Sequence, residues 1–174
     1  MTRYVAFLRG VNVGGINIKM ADLRNVFAGL GFENARTVLA SGNVVFESGR
    51  RDRAKLKKEV EAALNEAFGY EAWIVLLDAE TVTRIVAAYP FDEREGWQPY
   101  VLMSSDPAPL AELAELGAGL DAALERIELG DGVLYWEVER GQTLHSPFGK
   151  ATGKKRYKST TTNRNLRTLR KVLA

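Results

Sequence analysis

The hydrophobic period switches between strand and helix in the order β-α-β-β-α-β across residues 1–77, and few folds accept that order. Tyr4-Val5-Ala6-Phe7-Leu8 is a short apolar run ending at Arg9, with the length and composition of a strand. Met20, Leu23, Val26, Phe27 and Leu30 then share one face of a helix, and Gly31 follows where a left-handed cap belongs. The β-rich runs 37–40 and 44–47, split by Ser41-Gly42-Asn43, predict a hairpin. Asp52 is placed to cap a second helix whose Leu56, Val60, Leu64 and Phe68 recur at i+4 spacing. Gly69 ends it, and residues 72–77 read as a buried strand.

Beyond this half, Asp78 is positioned to cap a third helix with Val82, Ile85, Val86 and Tyr89 inward, and Pro90 stops it. An acidic loop leads to a strand at 100–103, and Asp106-Pro107 opens a fourth helix carrying Leu110, Leu113 and Leu116. Residues 123–129 and 133–138 read as strands around Gly130-Asp131-Gly132, so this part is α-β-α-β-β, a partial echo of the first. Residues 141–158 read as a long polar loop. A final helix is predicted from Asn163, with Leu166, Leu169, Val172 and Leu173 on one side and Arg164, Arg167, Arg170 and Lys171 opposite. The expected class is therefore α+β: a ferredoxin-like first half (1–77), a second smaller α/β half (78–140), and a basic loop with a C-terminal helix (141–174), together one compact unit.

Charge is divided along the chain. Residues 1–139 hold 14 Lys and Arg against 22 Asp and Glu, whereas residues 140–174 hold 10 Lys and Arg and no acidic side chain. Such a tail either meets an anionic partner or docks on the acidic body of its own molecule. No apolar run approaches the ~18 residues of a membrane span. A soluble, cytoplasmic protein with no membrane partner is expected, and its oligomeric state is open.

Several chemistries are excluded. Without cysteine there are no disulfides, thiol nucleophiles or cysteine metal sites. His145 is the single histidine, which removes the usual zinc sites and any Ser-His-Asp triad not built on it. Asp92, Glu93 and Glu95 lack the alternation of a calcium loop. No metal and no cofactor is expected.

Three stretches carry possible binding chemistry. The glycine-rich loop after the first strand offers Arg9, Asn12, Gly14, Gly15 and Lys19, a set that can hold an anion or can be a plain βα connection. It matches neither standard phosphate-loop pattern. Ser41 and Asn43 are a second candidate, or simply a hairpin turn. In the tail, Lys154, Lys155 and Arg156 suit a phosphate backbone and Tyr157 suits base stacking, while Thr162, Arg164 and Asn165 stand where a helix start would present N–H groups. The alternative for the tail is capping and a solvated loop.

These motifs also carry a resemblance. Residues 8–15, Lys19-Met20-x-x-Leu23, Leu30-Gly31-Phe32, Ser41-Gly42-Asn43-Val44-Val45-Phe46 and the region around Thr162-x-Arg164-Asn165 make the chain similar to the bacterial domain-of-unknown-function family 1697. That family's Thr-x-Arg-Asn-x-Asn-Thr pattern has Arg167 here where its second asparagine is usual. The resemblance implies an α/β fold of ferredoxin-like character and no particular reaction. Three readings follow: binding of a nucleic acid or nucleotide phosphate through loop and tail; an enzyme, a transferase or hydrolase, clamping an anionic substrate with Arg9 and Lys19; or a purely structural tail.

Overall fold

β1 (Thr2–Leu8) is apolar and buried on both faces from Tyr4 to Leu8, as suits an inner strand of a sheet. The structure, a computed structural model, describes residues 1–11, 16–158 and 160–174. Among the described residues it is a mixed α+β fold of two four-stranded antiparallel sheets and seven helices. The chain divides into two units, Met1–Thr83 with Lys171–Ala174, and Arg84–Arg170.

In the first unit β1 lies between β3 (Asn43–Ser48) and β4 (Ile74–Asp78), with β2 (Glu33–Thr37) outside β3, giving the order β2-β3-β1-β4. Tyr4 pairs with Phe46 on one side and Asp78 on the other. Tyr4, Ala6 and Leu8 point to the same face and join Leu23 and Phe27 of α1 (Met20–Gly29) and Leu56, Val60 and Leu64 of α2 (Arg53–Phe68) in one core. Each large side chain buried there contributes about 1.5–3 kcal/mol. Asp52 caps α2 by accepting from the Lys55 N–H at 3.1 Å, and Gly69 closes it in the left-handed conformation. On α2, Glu61 and Asn65 accept from the backbone N–H of Ile74 and Ala72, which sets where β4 begins. The chain end returns here: Arg36 on β2 donates to the carbonyls of Val172 and Ala174.

The hairpin differs from its sequence reading. Residues 38–42 form the turn, and β2 starts earlier, at Glu33. The apolar character of Val38 and Leu39 suggested strand, but Asn43 closes the turn around them and Leu39 adopts φ +62°.

In the second unit β5 (Trp97–Ser104) lies between β7 (Val133–Glu139) and β8 (Thr161–Asn165), with β6 (Glu125–Leu129) outside β7. Its order, β6-β7-β5-β8, repeats that of the first unit position for position. The partial echo in the sequence is thus completed by β8, where a helix start was expected. Before these strands α3 (Ala79–Ala87) is capped by Asp78, which accepts from the Thr81 N–H at 2.7 Å. α4 (Pro107–Ala114) is capped by Asp106 as expected, and a 3-10 turn at Glu115–Gly119 follows.

The supposed long loop contains two short helices, α5 (Pro147–Thr152) and α6 (Lys155–Lys158). Their few apolar residues are all anchors: Phe148, Ala151 and Tyr157 join Leu102, Leu110, Leu113 and Trp136 in the core. Too few for a periodic signal, they left the segment looking polar. α7 (Leu166–Leu173) starts three residues later than expected, with Leu166, Leu169 and Val172 buried as its stripe predicts. Among the described residues, no helix is long and apolar enough to cross a membrane.

Candidate functional site

The end of β1 is held by two backbone bonds. Leu8 N–H donates to Gly42 O at 2.8 Å, and Arg9 N–H donates to Trp73 O at 3.1 Å. The first bond seats the Ser41-Gly42-Asn43 turn directly against the strand that delivers Arg9. Gly42 is required there twice over: its φ is +87°, and a Cβ would lie 3.0 Å from Leu8 Cβ and 3.4 Å from Val11 Cβ. Asn43 is buried, and its amide donates to Val38 O at 2.7 Å and Ser41 Oγ at 2.9 Å. Asn43 therefore holds the Ser41 hydroxyl in place and does not itself face solvent. Leu39, half-exposed in the left-handed region, is a backbone arrangement costing about 1–3 kcal/mol that the closed turn sustains.

Arg9 is half-buried, and loss of hydration pushes its guanidinium below its ordinary value. Lys19 is exposed, immediately before α1. Asn12, Gly14 and Gly15 lie outside the described residues; Val11 and Ile16 on either side of them form an isolated bridge. Within the first unit the structure thus seats the Ser41-Gly42-Asn43 turn against the strand end that bears Arg9.

The tail belongs to the second unit up to Arg170, and there its arginines are engaged with the protein itself. Arg156 bonds Glu112 of α4 at 2.7 Å, and Arg170 pairs with Glu93 through two bonds of 2.8 and 2.6 Å. That pairing holds the Glu93 carboxyl below its ordinary range, chiefly through the hydrogen bond from Arg170. Tyr157 is 7% exposed, its hydroxyl directed to Glu112, so its ring is a core residue and not a stacking platform. Thr162 and Arg164 are strand residues. Arg164, 6% exposed, donates to Thr162 Oγ1 and Asn163 O, and is not on the outer face of a helix. Asn165 stands at the start of α7 and accepts from the Arg167 N–H at 2.9 Å. Arg167, at the position where the family pattern has asparagine, reaches Gln98 Oε1 at 2.8 Å. Lys154 and Lys155 remain exposed, with no ion pair among the described residues.

One charged cluster escaped the sequence reading. Glu137 on β7 is buried, with Arg94 on Oε1 at 3.2 Å and Arg126 on Oε2 at 2.6 Å. Arg94 stacks over Trp97 and Arg126 over Phe91. Tyr89 packs nearby on Tyr135, and burial raises its hydroxyl well above the usual range. A carboxylate inside the apolar run Val133–Val138 was the available signal. His145 is exposed, and among the described residues no group of three His, Asp or Glu side chains is arranged to hold a metal ion.

The chain is thus a mixed α+β protein with two like-ordered four-stranded sheets. The chain belongs to the family DUF1697, described as proteins of unknown function, whose model matches residues 1–135. The conserved bacterial protein SP0830 from Streptococcus pneumoniae has a similar structure, with a TM-score of 0.77 and 23% identity over 98% of this chain and 96% of that one. That likeness covers the fold. An unknown protein from Galdieria sulphuraria aligns with a TM-score of 0.29 and 12% identity over 99% and 87% of the two chains. No match was found among curated proteins.

Proposed function

We propose that this protein binds a small anionic ligand, bearing a phosphate or carboxylate, at the end of β1. Arg9 and Lys19 supply the charge and Ser41 a hydroxyl. The observation that carries this reading is the seating of Gly42 against Leu8, because it places the Ser41 turn beside the strand end that bears a partly desolvated arginine. A partly desolvated guanidinium interacts more strongly with an incoming anion than one in bulk solvent. We also read the first unit as ferredoxin-like, which its element order and the order β2-β3-β1-β4 support.

For the tail arginines the same reasoning favours a structural role. Arg156 and Arg170 already have carboxylates, so a nucleic acid would have to displace Glu112 and Glu93 to use them. The test is thermal unfolding and calorimetry with inorganic phosphate, nucleotides and small carboxylates, at low and high salt, on the protein and its Arg9→Gln variant. The expected result is saturable stabilisation by one small anion that survives salt and disappears in the variant. Stabilisation by every polyanion, lost at high salt and untouched by Arg9→Gln, overturns it.

A further inference from the structure

A groove lies in the other unit. Leu116, Gly119 and Leu120 form one wall of a cavity of about 350 Å³, and Pro147, Lys150, Ala151 and Lys154 form the other. The size is at the lower end for small-molecule pockets. We propose that this groove binds a medium-chain fatty carboxylate, its chain on Leu116, Leu120, Pro147 and Ala151 and its headgroup on Lys150 and Lys154.

The arrangement follows from local rules. Pro147, Lys150, Ala151 and Lys154 recur at i, i+3, i+4 and i+7, so α5 and the turn after it offer them along one stripe. The same short helix is anchored by Phe148 in the core. Its orientation is fixed by its cap, where Gly149 N–H donates to Ser146 Oγ at 3.0 Å. Gly149 packs so closely on Thr143 O that a Cβ there would clash with it, which seats the helix against the loop before it. Lys154 is held at the groove by its backbone, which donates to Ala151 O.

Charge selects the ligand class. The tail's Arg156 and Arg170 are paired with carboxylates, but Lys150 and Lys154 are exposed and have no ion pair among the described residues. Two cations therefore stand over an apolar floor whose Leu116 is 41% exposed. An inorganic anion uses the cations and leaves the floor wet, and a neutral hydrocarbon does the reverse. A nucleic acid would use the lysines through its phosphates but cover the floor only by stacking its bases on rings, and no aromatic lines the groove. A single-headed anion with an aliphatic chain satisfies both parts.

The experiment is calorimetric titration of the full chain with decanoate, octanoate, acetate and decyltrimethylammonium, below their aggregation concentrations. Decanoate should bind saturably at one site, and affinity should fall about fourfold for each methylene removed while the chain lies in the groove. The paired variant Lys150→Glu with Lys154→Glu should weaken decanoate about tenfold or more. Leu116→Asn, at a position 41% exposed, should weaken the chain-length dependence without adding a charge. Equal binding of the decyl cation, unchanged affinity in the lysine pair, or acetate binding as well as decanoate would each overturn the assignment.

Discussion

Trp136 donates its indole N–H to the carboxyl of Glu125 at 3.0 Å, and that carboxyl is completely buried. Its second oxygen accepts from the backbone N–H of Phe148 at 3.2 Å. One side chain at the start of β6 thereby satisfies donors on β7 and on α5. Glu125→Ala leaves two buried donors without partners at about 1–3 kcal/mol each, plus a cavity. Glu125→Gln retains the bond to Trp136 and loses the other. Chemical denaturation should rank the variants wild type, Gln, Ala in falling stability, with near-ultraviolet circular dichroism reporting the Trp136 environment.

Glu137 makes a different prediction, because burial in its cluster is one-sided. The carboxylate is covered while both arginines are about half in water. Arg94→Ala and Arg126→Ala should each be mild, since the other arginine still pairs with Glu137. Together they strand a buried carboxylate and should cost about 3–5 kcal/mol, well above the sum of the single changes. A double-mutant cycle in urea checks this; additivity would show that the two arginines do not share one partner.

The turn against β1 should be intolerant at Gly42. Gly42→Ala combines a positive φ with a 3.0 Å approach to Leu8, and a loss of about 1–3 kcal/mol is expected. The same variant should lose the small-anion stabilisation proposed for Arg9, whereas Gly141→Ala, at an open position of similar φ, should lose stability without losing that response.

Between Arg170 and Glu93 the ion pair sets a pH dependence. The folded-state pKa of Glu93 lies below its ordinary 4.5, so this pair's contribution is present above that pH and is lost as pH falls through the folded value. The pair is nearly half exposed, so its size is that of a screened surface bridge, about 0.2–1 kcal/mol. Arg170→Gln should flatten the acid limb of Tm against pH below 4.5 and leave neutral pH nearly unchanged, with high salt reproducing the effect.

Removing residues 150–174 should act on stability first. The deletion takes away β8, which pairs with the central β5, together with the buried Tyr157, Leu166 and Leu169. Loss of cooperative unfolding of the second unit is expected in calorimetry. Charge reversal at Lys154 and Lys155, both exposed, is the change that probes the tail's charge without disturbing that strand.

Local chemistry made much of this protein legible. Proline at the start of α4, the aspartates that cap α2, α3 and α4, and the i+4 stripe of α2 are decided within a turn of helix, so spacing alone reveals them. The family motifs were equally plain. What the sequence could not disclose is whatever depends on a distant partner. Thr161–Asn165 is a polar segment with no alternation of its own, and it is a strand because β5 offers it an unpaired edge. Tyr157 looked available to a ligand because nothing local says that Leu110 and Trp136 share its core. The tail's charge was visible at once, but its neutralisation by Glu112 and Glu93 was not, since ion pairs between residues 44 and 77 positions apart leave no periodic trace. The sequence determined which segments could be helices and which residues could carry charge. Only the tertiary structure decided which charges meet a partner, because that depends on burial and approach across the sheet.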